Sequence, residues 1–501
     1  MNLLILLPIF LPIIAGSYLL ICAFRERLAQ NGAEKMAEDV QQVHMITIVV
    51  LGISVLAALL VAWAGGEKSI TLLKLTEGIS VYFRVDQLGA LFATFMSIIW
   101  FAVSIYAFVY MHHEGNEKRF FGFFLVVYGV LIALDFAGNL ITLYFFYELM
   151  TLTSMPMVLH SGSRESIMGA LKYLFYSMCG AYLALFGIFF LYQNTTTLEF
   201  AAGGTLSVKP GSEGILLIAV FCMLIGFGAK AGMFPLHAWL PSAHPVAPSP
   251  ASAVLSAIIV KAGVMAVIRT VYYVVGPDFL RGTWVQTAWM VLTLGTIFMG
   301  SLLAYWEPIF KKRLAYSTVS QVSYVLFGLA QLSEVGMTGA LLHSVFHAFI
   351  KTALFLTAGI FIFKTGNTRV EDFKGYGKKM PKTLWSYTFA SLALIGIPPT
   401  SGFISKWYLA QGALTADIGV YGYAGPAVLL VSALLTAGYL LPVTVKGFFP
   451  GEGYVIEDPK VEEPPMKMWA PLMVIAAITL LLGVFPNPLI RLAGQIAASI
   501  F

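Results

Sequence analysis

About fourteen apolar runs, each near 20 residues, follow one another along these 501 residues, and five of them carry a lysine. A run of that length crosses a hydrocarbon core of about 30 Å as a helix. Lipid offers no partner to an exposed backbone, so only helices or a closed barrel can cross it. The chain is therefore expected to be an all-α polytopic membrane protein. The predicted spans are 3–24, 45–64, 86–110, 120–136, 139–160, 166–192, 214–232, 250–270, 283–305, 314–331, 338–363, 383–410, 424–446 and 468–487. Only 11% of the residues are charged, against about 25% in soluble domains. The first run lacks a basic leading segment and a small-residue cleavage site, so it reads as a retained helix rather than a signal peptide.

With both termini on the outer side, eighteen of the 30 basic residues fall in inner loops and seven in outer segments, the asymmetry that orients membrane proteins. Lys311 is among the inner residues and Arg269 among the outer ones. The remaining five are the lysines within apolar runs: Lys172, Lys230, Lys261, Lys351 and Lys406. Nearly all the acids lie in loops, with Asp86 and Asp135 at helix ends and Glu148 alone near a helix middle. An ionisable group in the membrane costs roughly 2.5 to 3.5 kcal/mol on insertion scales and marks an ion path by default. One acid among several bases suggests a relay rather than a set of neutralised pairs.

Cys22, Cys179 and Cys222 stand singly in apolar runs, without the spacing of a zinc or iron–sulfur site. No cofactor, metal or redox centre is expected on the chain. A glycine-rich nucleotide fingerprint is missing, and a net charge of +5, widely dispersed, does not suggest nucleic acid. Residues 1–501 read as a single membrane domain embedded in the lipid bilayer, with polar loops at 25–44, 364–382 and 447–467 and a final segment, 488–501, at the interface.

Two stretches interrupt the helices. GFGAKAGMFPLHAWLPSAHPVAPSPAS, residues 226–252, contains five prolines, two histidines and Lys230; GIPPTSGFISKW, residues 396–407, contains Lys406. Broken helices are tolerated at membrane depth where the freed backbone faces protein or a wet cavity, and matched breaks in two halves of a transporter point to inverted repeats around an ion site. The breaks fall five spans apart. That fits a first five-helix repeat over 120–270 and a second over 283–446.

Each candidate has a plainer alternative. Glu148, about ten residues from either end of its span, could pair with Lys230 so that separating them releases a proton, or could simply be a packing carboxylate bonded to Tyr or Thr. Lys261 is too deep to snorkel comfortably. Lys172 sits about one and a half turns inside its helix and could reach the headgroups. His343, His347 and Lys351, at i, i+4 and i+8, share one helical face, and histidine can pass protons between waters near neutral pH. Two histidines alone do not make a zinc site. His237 and His244 line the first break or hydrogen-bond its carbonyls, and Lys406 is either part of the path or a snorkelling lysine.

The segments YELMTLTSMPM, GFGAKAGMFPLHAWLPSAHPVAPSPASAVLSAIIVKAG, STVSQVSYVLFGLA, HSVFHAFIKTALF and GIPPTSGFISKW strongly resemble the antiporter-like membrane subunits shared by complex I, Mrp-type cation/proton antiporters and membrane-bound hydrogenases. The resemblance implies fourteen helices, two inverted five-helix repeats and a lateral chain of charged residues at mid-membrane. It assigns Glu148 and Lys230 to the acid and base of the first half-channel and Lys261 to the central bridge. His343, His347 and Lys351 continue the chain, and Lys406 ends the second half-channel. The complex I subunit of this length typically has a glutamate where this chain has Lys406, so the resemblance favours the Mrp D type. It also implies a prokaryotic-type energy-transducing membrane, other membrane subunits as partners, and an attached iron–sulfur, hydrogenase or dehydrogenase arm if the complex is respiratory. The expected function is translocation of protons, or of sodium against protons. The rivals are a membrane scaffold for a redox arm and a stand-alone secondary transporter.

Overall fold

The computed structural model describes residues 2–29, 36–66, 68–76, 79–452, 454, 456 and 461–501. The inner-loop lysines Lys35 and Lys460 lie outside them. Helices α1 (Leu7–Ala29) and α2 (Met36–Trp63) come first, after a short 3-10 turn at Asn2–Leu6. The all-α expectation is then corrected, because strands β1 (Lys68–Thr76) and β2 (Ile79–Val85) pair antiparallel, with Lys68 opposite Val85 and Thr76 opposite Ile79. This stretch is too polar for a span, yet its alternating Ile70, Val81, Phe83 and Val85 suit a half-buried pleat. The hairpin closes over the end of the helical core. Phe83 is fully buried, the Arg84 amide donates to Phe136 O at 2.9 Å, and the Gly138 amide donates to Tyr82 O at 2.8 Å.

Next come α3 (Gln87–Glu114), α4 (Glu117–Asp135), α5 (Leu140–Val158), α6 (Arg164–Asn194) and α7 (Glu213–Lys230). Side-chain caps fix three of these starts: Asp86 accepts from the Gly89 amide at 2.8 Å, Asn139 from Thr142 at 2.7 Å and Ser163 from Ser166 at 3.1 Å. Each satisfies an amide that the helix itself leaves orphaned. After Lys230 the chain is irregular to Ala238, forms the short α8 (Trp239–Ala243), and returns to helix at Ser249. The next span runs from Ser249 to Val275 as α9 (Ser249–Val254), a π turn at Leu255–Ile259, α10 (Val260–Ile268) and a second π segment at Arg269–Val275.

The rest is α11 (Pro277–Leu280), α12 (Trp284–Trp306), α13 (Phe310–Ala330), α14 (Glu334–Thr365), α15 (Tyr376–Lys379), α16 (Pro381–Ile395), α17 (Ser401–Thr415), α18 (Tyr421–Phe448), α19 (Met466–Val484) and α20 (Asn487–Ala498). The second break is confined to residues 396–400, so Lys406 lies within α17 rather than in unwound chain.

Among the described residues, ten helices are long and apolar enough to cross a membrane. The expected spans at 120–136, 139–160, 314–331 and 383–410 are helical, as α4, α5, α13 and the α16–α17 pair, but are not among the ten. α16 and α17, at 15 residues each, are too short to span singly; for α13 the physical reason is burial. In α13, Ser317, Thr318, Ser320, Gln321 and Ser323 all face protein, and a helix enclosed by other helices need not be as apolar as one facing lipid.

Two elements occupy the centre. Every residue from Ser249 to Val275 is buried, as is every residue of α14 from Gly336 to Phe361. α14 touches α3, α9, α13, α16, α17, α19 and α20, so its lysine and histidines are surrounded by protein on all sides. Close approach depends on missing side chains. A Cβ on Gly263 of α10 would lie 2.7 Å from both Ala231 N and Phe227 O of the first break, and one on Gly402 of α17 would lie 1.9 Å from Ala393 O of α16. Gly402→Ala is therefore expected to force the two half-helices apart and cost about 1–3 kcal/mol, as overpacking does. A thermal melt of the detergent-solubilised protein checks this against Gly295→Ala, whose added Cβ would meet nothing within 4 Å; equal melting of the two variants would show that the break tolerates separation.

Candidate functional site

Lys230 ends α7, and its side chain is fully buried. Its ammonium donates to Thr151 Oγ1 at 2.8 Å on α5 and, on α6, to Tyr173 OH at 3.1 Å and Ser177 Oγ at 2.8 Å. The Tyr173 ring lies 4.4 Å away. Trp239 donates to Ala229 O at 2.8 Å and so satisfies a carbonyl at the broken end. Three hydroxyls and an aromatic face thus hold the charge where a carboxylate was expected. Among the described residues Glu148 and Lys230 form no ion pair within 4.0 Å. Glu148 is half-buried, its Oε1 is buried without a hydrogen-bond partner, and it stands one turn before Thr151. The acid and base are close enough for their charges to act on one another, with Thr151 between them in sequence.

Lys261 projects from α10 just after the π turn, a feature frequent at functional sites. Nζ lies 2.5 Å from His347 Nδ1 and donates to Ser256 O at 3.2 Å, a carbonyl of that π turn. His347 and His343 are one turn apart on α14, with ring centroids separated by 6.0 Å. His343 Nδ1 lies 2.9 Å from Ser405 Oγ, and Nε2 lies 3.2 Å from Gln321 Oε1. Tyr324 stacks on His343 at 5.4 Å. The neighbour of Ser405 is Lys406, whose Nζ sits 5.3 Å from the same Tyr324 ring. Lys406 donates to Leu394 O and Ile395 O, both at 2.7 Å. Those carbonyls are left without helical partners by the second break, and a cation there also suits the helix dipole. Half-buried Lys406 is therefore a cap on α16 as well as a neighbour of the histidines. Lys351 is fully buried, donating to Leu314 O at 2.9 Å and to Ser317 Oγ.

The tertiary structure thus joins Lys261, His347, His343, Ser405 and Lys406 into one line, with Lys351 one turn beyond His347. Lys230 approaches the line from the other half: a Cβ added to Gly263, two residues after Lys261, would lie 3.1 Å from Lys230 Cβ. Among the described residues no side-chain hydrogen bond spans that step. Lys172 does not join, since it is exposed on the outer face of α6. His237 is half-buried with Nδ1 unpartnered, and His244 is fully buried with both ring nitrogens unpartnered.

Several buried charges escaped the sequence reading. Arg269, counted as an outer-segment residue, is buried at 1% exposure within the Ser249–Val275 span and holds Asp86 through two bonds of 2.5 and 2.7 Å. Asp135 is also buried, within reach of the Arg269 charge. Lys311, counted as an inner-loop residue, is buried and donates to Ala247 O at 2.5 Å. Glu117 is buried between His44 Nε2 at 2.5 Å and His112 Nδ1 at 2.9 Å. Glu148 is consequently neither alone nor the most deeply placed acid. The one available signal was the position of Arg269 eight residues after Lys261, two turns along the same helix.

Comparison with known proteins follows the same lines. Residues 137–441 match the family profile described as NADH:quinone oxidoreductase/Mrp antiporter, TM, and residues 76–121 match the profile for the N-terminus of complex I chain 5. The chain is 34% identical over 428 residues to NADH-quinone oxidoreductase subunit N of Desulforudis audaxviator, covering 82% of this chain and 84% of that one. It is 28% identical over 511 residues to the D subunit of the Na(+)/H(+) antiporter of Alkalihalophilus pseudofirmus, covering 100% and 97%. Among solved structures, a chain of the Mrp complex from a Dietzia species superposes with a TM-score of 0.85 at 23% identity, covering 100% and 98%. A chain of respiratory complex I from Thermus thermophilus gives 0.79 at 23%, covering 99% and 100%. These two likenesses are of fold.

Proposed function

The chain is an integral membrane protein belonging to the antiporter-like subunit family of complex I and Mrp antiporters, and we propose that it translocates protons, or exchanges sodium for protons, as one subunit of a multi-subunit membrane complex. In this reading fourteen helices form two inverted five-helix repeats over 120–270 and 283–446, with both termini on the outer side. Protons enter one half-channel past Glu148, rest on Lys230 and Lys261, continue along His347, His343 and Lys351, and leave at Lys406.

One observation carries the reading: Lys261, His347, His343, Ser405 and Lys406 follow one another through contacts from the centre of the bundle to the second break. Buried cations are costly in a membrane, and packing alone gives no reason to collect four lysines and two histidines around the two helices furthest from lipid. Energy for transport must come from partner subunits or an opposing ion gradient, because moving one charge against the potential requires about 2.3 kcal/mol per 100 mV. Lys406, and an alignment spanning nearly the whole of an antiporter's D subunit, support the D type. Iron–sulfur or nickel–iron proteins co-purifying with the chain would place it in a respiratory complex instead.

The test is transport by the assembled complex in membrane vesicles. Glu148→Ala and Lys230→Ala are each expected to abolish coupled transport with assembly intact. Normal transport in either variant would remove the first half-channel from the mechanism.

A further inference from the structure

A cavity of about 500 Å³ lies where β1 and β2 meet the start of α3, the 200–202 loop and α20. Its walls are strongly cationic. Lys68, the first residue of β1, is buried at 3% exposure and donates to Ala64 O, and Arg84 of β2 donates to Phe200 O. An ammonium has three donors and a guanidinium five, so both side chains keep donors for a ligand. The carboxylate in the wall, Asp86, is already engaged by two bonds from Arg269 and one from the Gly89 amide. Lys68, Arg84 and Arg269 thus gather around one occupied carboxylate, and the surplus charge facing the cavity is positive.

The helix beneath has the same sign. Asp86 caps α3, and the next two residues, Gln87 and Leu88, also line the cavity. First-turn amides have no partner within their own helix, and together with the helix dipole they favour an anion.

Depth narrows the kind of anion. Trp63, half exposed at the end of α2, donates to Thr94 Oγ1 at 2.9 Å, two turns along α3 from Asp86. Exposed tryptophans collect where hydrocarbon meets headgroups, which puts the cavity on the headgroup side of that ring. At 28 residues, α3 is also long enough to carry its first turn beyond a core of about 30 Å. The anionic group native to that level is phosphate, whose oxygens match the fork of an arginine.

We infer that this cavity binds a phosphate group, held by Lys68, Arg84 and the first amides of α3. It opens on the face that carries the hairpin, the outer side when both termini lie outside. A phosphate seated there ties the hairpin to α3 under the cover of Ile496 from α20. A lipid headgroup and free phosphate share this chemistry.

The test measures binding of two probes, inorganic phosphate and dihexanoyl phosphatidylglycerol, to the whole complex purified in detergent. Lys68→Gln combined with Arg84→Gln keeps a donor for each backbone carbonyl but removes both charges. Ala202→Trp keeps the charges and fills the cavity, since Ala202 is an exposed residue of its wall. Each variant should bind roughly tenfold or more weakly than the parent, the scale of losing a hydrogen bond to a charged group. Loss with phosphatidylglycerol alone assigns the site to a lipid headgroup, and loss with inorganic phosphate as well assigns it to the free anion; both support the site. A parent that binds neither probe overturns it, as does parent-like binding of both probes by either variant. Should the double variant fail to assemble, Ala202→Trp decides.

Discussion

Lys261→Ala is expected to reduce coupled proton transport on the order of 10²-fold, within the range that a positioned proton-transfer group contributes, while the complex still assembles. The residue is the only described contact between the Ser249–Val275 helix and the imidazole of His347 through side-chain nitrogens, so its loss cuts the line at its centre. The helix contact beside it should survive, because Ser256 Oγ keeps its hydrogen bond with Thr318 Oγ1 of α13 at 2.7 Å. The measurement is initial transport rate per assembled complex, with assembly quantified on native gels. If the chain were instead a scaffold whose lysines fix helix packing, the same substitution would deplete the complex and leave the rate per complex unchanged.

The second large effect concerns stability rather than transport. Arg269→Ala should destabilise the fold by up to about 3 kcal/mol, the low end of the cost of removing one partner from a buried ion pair, because Arg269 is buried while Asp86 keeps 26% of its side chain exposed. It strips Asp86 of two hydrogen bonds and leaves buried Asp135 without its nearest countercharge. Replacing Arg269 and Asp86 together with leucine should recover much of the loss, since an apolar pair need not be desolvated. Unfolding in detergent measures both variants; a single mutant as stable as the parent would mean that the pair is solvated.

Acid should reveal the same pair. Burial pushes the Asp86 carboxyl up, but the charge and hydrogen bond of Arg269 outweigh it and hold the group below the ordinary carboxylate value. A depressed carboxylate stabilises fully above its unfolded value, about 3.9, and that contribution disappears as pH falls through the folded value. The parent should therefore lose stability across that range, and Arg269→Ala should lose less.

How far the sequence could be trusted depended on the kind of physics involved. Burial of Lys230, Lys261 and Lys351 was legible because each sits amid long apolar sequence, and the breaks were legible from Gly-Ile-Pro-Pro and the five prolines of residues 226–252. The bond between Lys230 and three hydroxyls was not, because Thr151, Tyr173 and Ser177 lie 53 to 79 residues away. Lys172 resembled the other lysines in local sequence yet faces outward. The β-hairpin was missed because its period-two pattern is short and carries charges that read as loop.

By itself the sequence determined that this chain must be a helical membrane bundle, that ionisable groups are placed within it, and that two helices are interrupted near lysines; length, hydropathy and backbone chemistry dictate these. Only the tertiary structure decided which charges meet. A helix apolar on nearly every face has no periodicity to tell lipid from protein, so the choice of α14 and the Ser249–Val275 helix as the centre, with Lys261 against His347 and Arg269 against Asp86, waited on packing between elements far apart in the chain.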